Sequence, residues 1–103
     1  MKVYNFEHPE QFEKLFSGNS KEVTDAMVSG IIEAFQYHKE VAPLFSISFG
    51  DQDIAYEINL PKSHWVSALQ KCLDLYHEWG NSDEAIDTYL IQKEIKKWLT
   101  EQD

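Results

Sequence analysis

Arginine is missing altogether. All nine basic residues of the chain are lysines, set against eighteen aspartates and glutamates. Without guanidinium groups the chain lacks the bidentate fork that grips phosphates and guanine edges. A net charge of −9 also repels a nucleic-acid backbone and an anionic membrane surface. Nucleic acid and membrane are therefore excluded as expected partners. Lysine used to the exclusion of arginine suits an AT-rich genome, such as that of a phage or a small-genome bacterium. Cysteine is scarce too: the single Cys72 leaves no internal disulfide framework and fits a reducing cytoplasm, the compartment expected here. No apolar run nears the ~20 residues of a membrane-spanning helix. The opening Met1-Lys2-Val3-Tyr4-Asn5-Phe6-Glu7 carries no apolar core of a signal peptide, so secretion by that route is not expected. Low-complexity segments, linkers and repeats of fixed period are also missing.

What remains is ordinary globular material, 103 residues with 43% apolar and 26% charged content. It predicts a single α+β domain over residues 1–103. The centre of the chain is Leu44–Leu60. Phe45, Ile47 and Phe49 alternate with Ser46 and Ser48, and Ile54, Tyr56, Ile58 and Leu60 alternate with Ala55, Glu57 and Asn59. Two such runs around Gly50-Asp51-Gln52-Asp53 predict an antiparallel β-hairpin with one apolar face, to be covered by flanking helices. Residues 2–6 could add a third strand.

Two helices are expected before the hairpin and two after it. Pro9 opens the first, with Phe12, Leu15 and Phe16 on one face, and Ser17-Gly18-Asn19 closes it. Ser20 caps a second helix over Lys21–Lys39, with Val23, Met27, Ile31, Ala34, Phe35 and His38 on one stripe. Gly30 in its interior costs about 1 kcal/mol relative to alanine and implies close approach by another element. Pro61-Lys62-Ser63 opens a third helix running to Trp79, with Trp65, Val66, Leu69, Cys72, Leu73 and Tyr76 on a broad face. Gly80, Asn81 and Ser82 form a tight link to an antiparallel fourth helix over Asp83–Thr100. That helix is odd: Ala85, Ile86, Tyr89 and Leu90 share one face, whereas Ile91, Ile95, Trp98 and Leu99 fall on another, rotated by nearly half a turn. The second face is expected to meet the N-terminal helix or another chain.

The helical pair from Tyr76 through Gly80 and Ala85 to Tyr89 resembles one tetratricopeptide repeat. The first-helix tryptophan-leucine-glycine pattern and the terminal proline are absent, and there is one copy, so an ordinary helical hairpin is the simpler reading. Glu10-x-x-Glu13 and Glu22-x-x-Asp25 resemble the magnesium-binding carboxylates of the all-α nucleoside triphosphate pyrophosphatases, over an interval too short for two long helices to converge. Asp74-x-x-His77 has the spacing of a di-iron half-motif without its second copy. No catalytic residue, metal ligand or cofactor site is expected. His64 and Trp65, brought beside Trp98 by antiparallel pairing, define with Ile91, Ile95 and Leu99 a candidate interaction surface.

Three function classes follow. The first is a non-enzymatic protein–protein interaction or adaptor module with an unidentified partner. The second is an acidic mimic or inhibitor of a nucleic-acid-binding protein, and the third a small metal-dependent nucleotide hydrolase using Glu10, Glu13, Glu22 and Asp25. A homodimer is also expected, by pairing of hairpin edges into a four-stranded sheet, because neither apolar run contains an edge-blocking lysine or proline.

Overall fold

A computed structural model describes residues 1–16, 20–50 and 55–102. Its described residues form an α+β fold with four α-helices and a three-stranded sheet. In chain order these are β1 (Lys2–Phe6), α1 (Pro9–Phe16), α2 (Lys21–Gln36), β2 (Val41–Phe49) and β3 (Tyr56–Pro61). A 3-10 turn (Lys62–His64), α3 (Trp65–Glu78) and α4 (Ser82–Gln102) follow. Contacts group the chain into two compact units, Met1–Leu60 and Pro61–Asp103.

In the first unit the sheet order is β1-β2-β3. Residues 2–6 do form a strand, and it pairs with β2 in parallel, from Lys2 opposite Phe45 to Phe6 opposite Phe49. The sheet is therefore not a bare hairpin. The intervening α1 and α2 supply the dozen or more residues a parallel crossover requires. β3 neighbours β2 on its other side; residues 50–55, the whole interval between them, are too few for such a crossover. The expected turn at 51–53 and the start of the second run at Ile54 lie outside the described residues, as does Ser17-Gly18-Asn19. Pro43 and Pro61 fall inside β2 and β3, not beyond their ends. Pro43 precedes the stretch of β2 that pairs with β1, which begins at Phe45.

The parallel register sets Tyr4 opposite Ile47 and Phe6 opposite Phe49. The amphipathic α1 closes over this face. Phe12 meets Phe6 and Phe49 at ring distances of 6.0 and 5.9 Å, and Phe16 meets Tyr4 and Phe45 at 5.8 and 5.2 Å. Five phenylalanines and Tyr4 thus make one cluster, each favourable ring pair adding about 0.5–1.5 kcal/mol beyond its buried area. The start of α1 is held by Gln11, whose side-chain carbonyl accepts from the amides of Glu7 (2.8 Å) and His8 (3.2 Å), the reaching-back half of a capping box.

Tyr4 carries one unsatisfied group in this cluster. Its hydroxyl is buried beside the Glu22 carboxylate without reaching hydrogen-bond geometry. Burial first, then the Glu22 charge, raise its pKa above the ordinary tyrosine value. The folded state thus holds the proton more tightly than the unfolded chain, so stability is intact below about pH 10 and declines as pH rises past it. Tyr4→Phe is expected to lessen that alkaline decline and to be neutral or stabilising by up to about 1 kcal/mol at pH 7. A clear loss of stability in urea melts at pH 7 would show that the hydroxyl is bonded after all.

α2 begins as read from the sequence, with the Ser20 hydroxyl accepting from the Val23 amide at 3.4 Å. It ends earlier than its apolar stripe implies, at Gln36. His38 adopts a left-handed conformation (φ 55°), and the amides of His38 and Lys39 bond back to Phe35 (3.2 Å) and Ala34 (2.9 Å). That is a Schellman stop, with histidine where glycine is usual. His38 is exposed and does not extend the buried stripe.

Gly30 has the reason expected of it. A Cβ built there would lie 2.7 Å from Leu44 Cδ2 and 3.5 Å from the Pro43 carbonyl oxygen. α2 therefore crosses β2 at a distance that only glycine permits without movement. In Gly30→Ala the Leu44 tip must turn aside, a cost set against about 1 kcal/mol of gained helix propensity, so a net change within about 1 kcal/mol is expected. Gly30→Leu has no room for its branch and should cost about 3 kcal/mol. A leucine variant as stable as the parent in denaturant melts would refute the close approach.

Candidate functional site

The second unit is a helical hairpin. Its tight link works as the sequence implies: Gly80 is left-handed (φ 74°), and the amides of Gly80 and Asn81 bond to the carbonyls of His77 (3.1 Å) and Tyr76 (2.8 Å). Contacts along the pair establish its direction. Ala85 lies beside Leu73 and His77, Gln92 beside Val66 and Gln70, and Trp98 beside Lys62. Positions rise along α4 as they fall along α3, so the helices are antiparallel.

α4 is one continuous helix. Its buried stripe is Ala85, Thr88, Gln92 and Ile95, at steps of three and four. Two of these four are polar, which is why apolar periodicity did not find the stripe. The Gln92 side-chain amide is satisfied, its Nε2 donating to the Val66 carbonyl at 3.0 Å and to Gln70 Oε1 at 3.1 Å. Gln70 in turn donates to Asp74 Oδ1 at 3.0 Å. A short chain of side-chain amides therefore runs along the α3–α4 seam.

This phase resolves the oddity of the fourth helix. The second face is the packed one: Ile95 is fully buried, Ile91, Trp98 and Leu99 are half-buried, and the Lys62 ammonium sits 5.4 Å from the centre of the Trp98 ring. Of the six residues expected to form an interaction surface, Trp65 and Ile95 are closed to solvent and only His64 is exposed. The surplus apolar surface belongs instead to the first half of α4. Ile86, Tyr89 and Leu90 are 57%, 50% and 55% exposed. With Leu73, His77 and Ala85, the first two line an apolar pocket of about 220 Å³ in the groove between the helices. The missed signal was the polar pair Thr88 and Gln92, which takes the seam and leaves Ile86, Tyr89 and Leu90 outside.

The first unit offers an open cleft of about 410 Å³, lined on α2 by Glu22, Asp25, Ala26, Ser29, Gly30 and Glu33, and on the β1 side by Met1 and Lys2. It is acidic, but Glu22 pairs with Lys2 at 3.5 Å and Asp25 with Lys21 at 2.9 Å. Among the described residues no group of three or more His, Cys, Asp or Glu side chains is placed to hold a metal ion. Glu10 and Glu13 on α1 are not gathered with Glu22 and Asp25 into such a group, nor are Asp74 and His77. No described helix is long and apolar enough to cross a membrane. No protein-family model, curated protein or solved structure matches this chain.

Proposed function

We propose that the chain is a non-enzymatic protein–protein interaction module that docks its partner on the outer face of α4. One observation carries this reading: Ile86, Tyr89 and Leu90, at i, i+3 and i+4, form a contiguous exposed apolar face continuous with an apolar pocket. Large apolar side chains scattered singly on a surface are ordinary, whereas three together beside a groove mark a place where something else packs. A cytoplasmic location goes with this reading, since one cysteine leaves no internal disulfide that would need an oxidising compartment. The test is an Ile86→Ser/Leu90→Ser double variant, expected to leave thermal stability nearly unchanged while removing association by the chain. Association that survives would overturn the reading, as would nucleotide turnover by the purified protein that Glu22→Gln abolishes.

A second reading places the contact on the sheet. β3 ends the sheet, and Tyr56 and Ile58 on one of its faces are 55% and 40% exposed. β2 is central, so edge pairing between two copies would run through the outer edge of β1 or of β3 and join six strands, not four, and the exposed Tyr56 and Ile58 favour β3. A proline that blocks this edge belongs on β3, at Ile58. Ile58→Pro that abolishes self-association with circular dichroism unchanged would favour this edge.

A further inference from the structure

We propose that the partner on this face is a second copy of the same chain, seated antiparallel on α4 about a two-fold axis near the level of Thr88. The inference rests on the docking reading above and names its occupant. Its ground is the order of charge along the exposed stripe. At about 100° per residue, Asp83, Ile86, Leu90, Lys93 and Lys97 fall within roughly 80° of one another on the outer face, with Tyr89 at its margin. The stripe thus reads acid, apolar, apolar, base, base from Asp83 to Lys97, and Glu101 follows one turn further on, where no α4 position of an antiparallel second copy centred on Thr88 lies opposite it. Neither Asp83 nor either lysine belongs to an ion pair seen among the described residues.

A two-fold axis level with Thr88 sets Ile86 of one copy at the height of Leu90 of the other. The same axis places Asp83 at the height of the second copy's Lys93, with Lys97 one turn beyond. Both contacts occur twice by symmetry. Asp87 and Glu94 lie about 80–100° from Ile86, at the edge of the stripe, and do not meet each other across the axis. A parallel pair would instead oppose Asp83 to Asp83 and Lys93 to Lys93, which like-charge repulsion disfavours. The stripe is self-complementary in one orientation only, which is the requirement for an isologous interface.

The size of the face sets the strength. The exposed parts of Ile86, Tyr89 and Leu90 amount to roughly 350 Å² per copy, well under the ~800 Å² per partner of a standard stable interface. The pair is therefore a reversible, concentration-dependent dimer, weakened by salt because its flanking contacts are exposed ion pairs.

The test uses the full chain in two measurements. In sedimentation equilibrium at low salt, Asp83→Lys and Lys93→Asp should each weaken self-association about tenfold. The double exchange Asp83→Lys with Lys93→Asp should restore it to within about threefold, because opposite charges again meet. In the second measurement a benzophenone amino acid replaces Tyr89 and is photoactivated in the purified protein and in expressing cells. An adduct of twice the chain's mass supports the proposal. A monomer up to about 500 μM, or charge exchanges that leave the equilibrium unmoved, overturns it. So does a doubled species captured only by the same probe in place of Tyr56, which would assign the contact to β3. A Tyr89 adduct with a protein of different mass overturns the second-copy inference while leaving the docking reading intact. Absence of any Tyr89 adduct in either setting removes both.

Discussion

Gln92→Glu is expected to destabilise the protein by about 3 kcal/mol or more at pH 7. Gln92 is 2% exposed, and its amide nitrogen faces two acceptors, the Val66 carbonyl and Gln70 Oε1. Glutamate is nearly isosteric but replaces that donor with a charged oxygen, so a buried carboxylate would confront two further oxygens. The sign of the pH dependence follows. Burial and acceptor neighbours raise the introduced carboxyl's folded pKa above its unfolded value near 4.3, so the penalty appears as pH rises through that value. Below it the protonated acid can donate one bond, and most of the loss should be recovered. Urea melts of variant and parent compared at pH 4 and pH 7 read this directly. Gln92→Met, which removes the donor without adding charge, should cost only about 1 kcal/mol because Gln70 is exposed and its Oε1 can take a hydrogen bond from water. Equal stability of the glutamate variant and the parent at both pH values would mean that Gln92 does not face this seam.

Ile95→Ala and Leu90→Ala form a pair whose contrast is the strongest check on the phase of α4. Both remove a branched aliphatic side chain from the same helix, and alanine is the better helix former in each case. Ile95 is 0% exposed, so its truncation leaves a cavity as well as losing transfer energy, at a cost of about 2–5 kcal/mol. Leu90 is 55% exposed, and its truncation should stay within about 0.5 kcal/mol of the parent in the monomer. The apolar pattern of the sequence assigns the two residues to rival faces without ranking them. Thermal melts at a concentration low enough to suppress self-association decide the matter, and a larger effect at Leu90 would invert the packing described here.

The features readable from sequence are those decided within a turn or two of chain. Pro9 starts α1, Ser20 caps α2, and Gly80 stops α3, because each acts on backbone groups only a few residues away. Gly30 was legible for a related reason, since a costly glycine in a helix interior has few explanations other than close approach. His38 was not. A left-handed residue other than glycine leaves no compositional mark, and its place on the apolar stripe argued for three more residues of helix. The buried stripe of α4 was missed through the same blindness to polar burial: Thr88 and Gln92 count against a core position in any periodicity argument until their hydrogen-bond partners are known.

By itself, then, the sequence determined the α+β class, the positions of the four helices and the apolar runs that become strands. All of these follow from local propensity and capping, which need no knowledge of distant neighbours. Only the tertiary structure decided that residues 2–6 pair in parallel with β2, and that α4 turns Gln92 inward and leaves Ile86, Tyr89 and Leu90 outside. Both outcomes depend on partners far away in the chain. Phe6 finds its place only when Phe49 and α1 are there to meet it. Gln92 can be buried only because Val66 and Gln70 arrive to accept its protons.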